Sequence, residues 1–206
     1  FEKILKRKYS SRKINQIRQT AFEDLIKKGI PNKSWENWRF TNLSAIKKGE
    51  FRLSEKKDNL KKKLDLVEYG FNTFYSIVIY NGHLQEGLSS IPNGVQLLSN
   101  KDYLKKKNWK VTNPEISSFD LMNTAFMDSG ICIVVEKNKK IDIPIRLLFI
   151  SSKKKKLMVS PRIHLDLKES SSLTLLEQHV GNCEEYFQNT STIINLKSNA
   201  NLNHIR

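Results

Sequence analysis

ICIVVEKNKKIDIPIRLLFI (131–150), followed by LMVSPRIHLDLKESSSLTLLEQHV (157–180), is the stretch that decides the fold. Its apolar runs are strand-sized, and polar turns such as EKNKK, SSKKKK and KESSS separate them. The spacing predicts strands over 131–135, 141–150, 157–160, 163–167 and 173–180, continuing with 191–196 and 202–206. Strands of about five residues at intervals of roughly 8–12, with no helix between them, argue for a sandwich, a barrel or a β-solenoid. Two details favour the solenoid. The turns are short, and one face collects the apolar residues: Ile131, Ile133 and Val135, then Ile163, Leu165 and Leu167, then Leu173 and Leu175. Stacking such units puts an aliphatic ladder inside and small or polar residues at corners, as at Ser170–Ser172 and Asn199–Asn201.

Toward the N-terminus the pattern loosens. FNTFYSIVIYNG (71–82) is a β-branched and aromatic run closed by Asn81-Gly82, a strong hairpin signal. LSSIPNGVQLLS (88–99) reads as a turn and a short strand. DYLKKK (102–107) and FDLMNTAFM (119–127) are helix-like pieces of an irregular stretch.

The first 70 residues read as helical. Ile14, Ile17, Ala21, Phe22, Leu25 and Ile26 recur at three- and four-residue steps, and Gly29 with Pro31 supplies the stop. In the following PNKSWENWRFTNLSAIKKG, Ser34 is placed to cap one short helix and Thr41 or Asn42 the next. The dense aromatics Trp35, Trp38 and Phe40 are expected in a core or an interface anchor rather than a base-stacking platform. KKDNLKKKLDL (56–66) reads as a solvated helix or linker. The expected organisation is a helical domain over 1–70 and a strand region over 71–206.

Composition narrows the class. A length of 206 residues fits one domain or two small ones. At 38% apolar and 28% charged residues, the chain is too apolar for a disordered tail. No run approaches the roughly 18 apolar residues of a membrane-spanning helix, and FEKILKRKYS (1–10) lacks a signal peptide's apolar core. A start at Phe1 rather than Met reads as a processed or truncated piece. Cys132 and Cys183 form neither a disulfide framework nor a CxxC metal pair, which fits a reducing cytosol.

The formal charge of +15 needs sorting before it signifies a partner. Residues 1–70 hold 19 Lys/Arg against 9 Asp/Glu, so most of the excess lies there. Yet 28 of the 36 basic residues are Lys, whereas bidentate phosphate recognition favours the Arg fork. The charge is therefore read first as solvated surface in a Lys-, Asn- and Ile-rich sequence. A basic nucleic-acid-binding protein, using Lys-rich helices around Lys61–Lys63, is the alternative.

Reactive chemistry is sparse. His83, His164, His179 and His204 form neither HxxxH nor HExxH, and His164, alternating with Ile163 and Leu165, is expected off the core face. His179 ends a strand, and His204 lies near the end of the chain. Cys132 sits in an apolar strand, where a thiol is inert, and Cys183 lies in a polar turn. GxxxxGK[ST], GxGxxG and GxSxG are all absent. The carboxylate pairs Asp166/Glu169 and Glu184/Glu185 fall at turns, which argues against a carbohydrate-cleaving enzyme. No catalytic, cofactor-binding or metal-ligating residue is assigned, and the chain reads as a non-catalytic scaffold.

Several segments together resemble one family. RQTAFEDLIKKGIPNKSWENWRFTNLSAI (18–46) is similar to the N-terminal signature of SufB/SufD-type iron–sulfur cluster assembly proteins, with Glu36, Trp38, Arg39, Phe40, Thr41 and Leu43 at its positions. VIYNGHLQEGLSSIPNGV (78–95), MNTAFMDSGICIVVEKNKKIDIPIRLLFIS (122–151) and PRIHLDLKESSSLTLLEQHVG (161–181) resemble later parts in order. The Trp–Arg–Phe–Thr segment and the Asn-Gly turn point to SufD more than SufB. The resemblance implies an α+β protein: a helical N-terminal domain, then a right-handed parallel β-helix cut mid-coil at Arg206. It implies pairing with a SufB-like paralogue, SufC-like ABC-type ATPase subunits, a role in iron acquisition and a cytoplasmic location. Any iron–sulfur cluster would belong to the full complex, since the family's cluster-related Cys/His positions would lie beyond Arg206.

Overall fold

The computed structural model describes residues 11–54, 74–106, 116–127, 130–151, 156–181 and 185–206. Helix α1, Arg12–Lys28, buries one stripe made of Ile14, Arg18, Ala21 and Leu25. Ser11 Oγ accepts from the Ile14 N–H at 3.5 Å, and Gly29 closes the helix at φ 76°, donating to the Leu25 carbonyl at 2.7 Å. A 3₁₀ turn, Glu36–Trp38, and the short α2, Ser44–Lys48, follow. Asn32 and Asn42, rather than Ser34 and Thr41, organise this stretch: their Oδ1 atoms accept from the Ser34 and Ser44 N–H groups.

The strands are β1 Arg52–Leu53, β2 Tyr75–Tyr80, β3 His83–Leu84, β4 Val95–Ser99, β5 Gly130–Val135, β6 Ile145–Ser151, β7 Leu157–Val159, β8 Arg162–Leu167, β9 Ser172–Gly181, β10 Tyr186–Gln188, β11 Ser191–Leu196 and β12 Asn201–Ile205. Two further helices intervene, α3 Asn100–Lys106 and α4 Ser118–Phe126. The strands form three sheets, ordered β1-β7-β10, β11-β8-β5-β4 and β12-β9-β6-β2-β3. Leu157 pairs with Tyr186, Arg162 with Ser191 and Ser172 with Asn201, the same displacement of 29 residues in each sheet. Positive-φ residues recur at the turns too: Asn138, Ser170 and Asn199 take φ of 62°, 54° and 58°. Asn and Ser tolerate that left-handed region better than larger residues.

The central core lies between sheets and uses alternate residues of each strand. Ile131, Ile133 and Val135, Ile163, Leu165 and Leu167, and Leu173 and Leu175 all enter it, with Ile77, Ile79, Ile145, Leu147 and Phe149. A second core forms where α1 and α4 meet β7, through Ala21, Leu25, Leu121, Phe126 and Met158. A third covers the outer face of the four-stranded sheet, with Tyr103 and Leu104 of α3 over Cys132 and Val134.

This architecture corrects the expectation of a right-handed parallel β-helix. The described residues form a mixed α/β fold in which two of the three sheets combine parallel and antiparallel pairs. The physical reason lies in two turns. Asn81 (φ 46°) and Gly82 (φ 85°) reverse the chain so that β3 runs antiparallel to β2. The segment around Gly94 (φ 84°) delivers β4 antiparallel to β5. Alternation along 131–180 records which side chains face inward, but not the direction in which neighbouring strands run. The expected boundary at 70/71 and the Lys-rich 56–66 segment lie outside the described residues.

Candidate functional site

The conspicuous polar centre is built from residues far apart in sequence. Arg162, first residue of β8, is buried beneath α4. Its Nε donates to Asn123 Oδ1 at 3.0 Å and its Nη2 to Thr124 Oγ1 at 2.5 Å. Burial lowers the Arg162 pKa to about 10, opposed by the charge of Asp120. Asn123 uses its amide on the other side, donating to the Pro161 carbonyl at 3.0 Å and the Asn189 carbonyl at 2.7 Å. Asn189 Nδ2 in turn donates to the Phe119 carbonyl at 2.8 Å.

α4 is set by its own start. Ser117 Oγ accepts from the Asp120 N–H at 3.0 Å and donates to Asp120 Oδ2 at 2.7 Å, leaving Oδ1 for Ser191. From α1, buried Arg18 donates through Nε to the Ala125 carbonyl at 3.0 Å, near the C-terminal end of α4. The segments 18–21, 122–125 and 161–162 therefore meet around one helix. Gly130 shows how close the approach is: a Cβ there would strike the Arg162 carbonyl.

The histidines divide. His83 Nε2 lies 3.0 Å from Ser54 Oγ, near the β2–β3 hairpin. His164 faces away from the central core, as its alternation predicts, and is buried with its ring 4.7 Å from that of Tyr103. His179 and His204 converge on Glu177, with Nε2 atoms 2.7 Å from Oε1 and 3.0 Å from Oε2. No sequence motif links 177 to 204; the signal is the pairing of Leu175 with His204, which the repeated displacement sets. Burial would raise the Glu177 pKa, but the His179 hydrogen bond, the Arg206 charge and His204 together hold it below its ordinary value.

Among the described residues, no group of three or more His, Cys, Asp or Glu is arranged to hold a metal ion. At Glu177 the His179 ring is held on both sides, with Nε2 2.7 Å from Glu177 Oε1 and Nδ1 2.8 Å from Gln188 Nε2. Asp166 is buried beside Lys168, whereas Glu169 pairs with Lys137 on an exposed turn, so that carboxylate pair is split. Cys132 is buried, and Cys183, Glu184 and Lys61–Lys63 lie outside the described residues. No described helix is long and apolar enough to cross a membrane.

Comparison with known proteins follows the same segments. Residues 2–147 match the family described as the SufBD protein N-terminal region. The chain is similar to the chloroplastic protein ABCI7 of Arabidopsis thaliana, 26% identical over 210 residues, covering 95% of this chain and 44% of that protein. It is also similar to an iron–sulfur cluster assembly SufBD family protein of Synechocystis sp., 26% identical over 215 residues, covering 92% of this chain and 46% of the other. The chain thus spans less than half the length of either relative.

Proposed function

We propose, from the premise that the chain belongs to the SufBD family, that it serves iron–sulfur cluster assembly as a non-catalytic scaffold subunit. One observation carries the scaffold reading. Arg18, Asn123, Thr124 and Arg162, which lie in or beside the segments that resemble the family, all hold α4 between α1 and β8. Side chains committed to buried carbonyls and to one another orient elements of the fold; they do not present a nucleophile or a base to a substrate.

The cluster-assembly role is supported by the printed name of the Synechocystis relative. A SufD-type identity is supported by Trp38–Thr41 and the Asn81-Gly82 hairpin. On this reading the partners are a SufB-like paralogue and SufC-like ATPase subunits, and any iron or iron–sulfur cluster is cargo of the assembled complex. The cytosolic location rests on cysteine usage, and one relative is chloroplastic.

The test is affinity purification of the protein expressed from its native locus. The expected result is one complex containing a SufC-like ATPase and a SufB-like subunit, with reduced cluster content in client enzymes when the gene is deleted. A stable monomer that ignores both, in cells with normal cluster content, overturns the reading.

A further inference from the structure

Two Asn-Gly pairs occur in the chain, Asn81-Gly82 and Asn93-Gly94, and the fold treats them differently. Asn81 is 1% exposed, and its N–H donates to the Ile150 carbonyl at 2.9 Å. Asn93 is exposed, in the turn Pro92-Asn93-Gly94-Val95 that leads into β4. That turn is closed by the Val95 N–H, which donates to the Pro92 carbonyl at 3.2 Å. Gly94 takes φ 84°, as the third residue of a type II turn requires, and the closing bond does not use its N–H. The exposure of Asn93 is unrelated to the last strands. The four-stranded sheet runs β11-β8-β5-β4, so the turn before β4 lies at the edge away from β11.

An asparagine followed by glycine has a reaction open to it that needs only water. The Gly94 nitrogen attacks Asn93 Cγ; the N–Cγ bond forms, the Cγ–Nδ2 bond breaks, and the side-chain nitrogen leaves as ammonia with the Gly94 proton. Water then opens the five-membered imide. Opening at Cγ gives aspartate, and opening at the backbone carbonyl carbon gives isoaspartate, whose main chain runs through Cβ and Cγ. Glycine favours closure because no Cβ crowds the attacking nitrogen. The three atoms nearest to a Cβ built on Gly94 belong to the stem of Lys139, a flexible side chain rather than fixed backbone.

We propose that Asn93 is a modification site, where deamidation through the imide yields isoaspartate, the substrate of a carboxyl methyltransferase that uses S-adenosylmethionine. Asn81, the other candidate, is held closed by the fold. The change at Asn93 reaches the sheet. The Gly94 carbonyl accepts from the Glu136 N–H at 2.9 Å, and Val95 pairs with Val135, so this turn sets β4 on β5. An added main-chain carbon lengthens the turn and loosens β4.

Peptide mapping by mass spectrometry, on the purified protein incubated at neutral pH, tests the site. Methyl transfer from labelled S-adenosylmethionine by an isoaspartyl methyltransferase is the second readout. Product should accumulate at Asn93 about tenfold or more faster than at Asn81, which cyclises only in locally opened molecules. Asn93→Ser should abolish the methyl acceptance that grows with incubation. Asn93→Asp supplies the charge without lengthening the chain. Hydrogen exchange at 95–99 should therefore rise in aged protein but not in fresh Asn93→Asp, while 163–167 keep their protection. Equal rates at Asn81 and Asn93, or methyl acceptance unchanged by Asn93→Ser, overturns the site. So does an intact Asn93 in folded protein when the urea-unfolded chain deamidates there over the same period. Exchange at 95–99 that ageing leaves unchanged overturns the effect on β4.

Discussion

Arg162 and Asn123 lie 3.0 Å apart, Nε to Oδ1, although 39 positions separate them in the chain. The contact joins the start of β8 to the middle of α4, and Asn123 simultaneously satisfies the carbonyls of Pro161 and Asn189. Asn123→Ala therefore removes the partner of the Pro161 carbonyl, of the half-buried Asn189 carbonyl and of the Nε of a buried guanidinium. The expected loss is about 2–4 kcal/mol, read from the urea midpoint. Arg162→Lys should not rescue the site, because an ammonium cannot span Asn123 and Thr124 as the planar fork does. A loss below about 1 kcal/mol in both variants would mean that water replaces the network at little cost.

The glycines give a graded test of the same approach. Gly130 sits at φ 144°, and its missing Cβ leaves room for the Arg162 carbonyl. Gly29 also has positive φ, 76°, but nothing lies within 4 Å of where a Cβ would be. Gly29→Ala should cost about 1–3 kcal/mol, the strain of a positive-φ, extended-ψ conformation alone. Gly130→Ala should add a backbone collision and exceed it by about 2 kcal/mol or more. Denaturation of the two variants side by side measures the difference, and equal costs would show that β5 can move away from β8.

Much of the strand region was legible in the residues. Alternation along 131–135, 163–167 and 173–175 named side chains that do enter the core, and Asn81-Gly82 named a hairpin that does form. Three things were not legible. β10 is only three residues, YFQ, too short for a period to register. The direction of β4 depends on where the turn before it delivers the chain, which apolar spacing does not encode. The docking of α1 on α4 rests on Arg18 reaching a carbonyl 107 positions away. The Glu177 cluster was hidden for a related reason: Glu177, His179 and His204 look like isolated polar residues until strand register superimposes them.

Register also makes a prediction about packing. Leu165 pairs with Ile133 on one side and Ile194 on the other, and both Leu165 and Leu175 are fully buried in the central core. Leu165→Ala and Leu175→Ala should each cost about 2–5 kcal/mol, the loss of transferred area plus a cavity that rigid neighbours cannot fill. Costs below about 1 kcal/mol at both positions would place these side chains outside the core and break the register. Ile194, 44% exposed on β11, supplies the control: Ile194→Ala should cost clearly less than Leu165→Ala, although the two residues are partners.

The aromatic cluster separates by the same measure. Trp35, Trp38 and Phe40 were expected to share one role, yet Trp38 packs on Phe119 of α4, centroid to centroid 5.2 Å, while Phe40 is 93% exposed. The Arg39 guanidinium lies over the Phe40 ring, 5.8 Å from its centroid and on the surface. Trp38→Ala should cost about 1–3 kcal/mol, because it strips a half-buried ring from the α4 layer. Phe40→Ser should change stability by no more than about 0.5 kcal/mol, since an exposed cation–π contact contributes little. Phe40→Ser should also leave the intrinsic tryptophan fluorescence maximum where it was. A stability loss at Phe40 as large as that at Trp38 would mean that Phe40 is covered in solution, which dilution of the protein across its association range would then reveal.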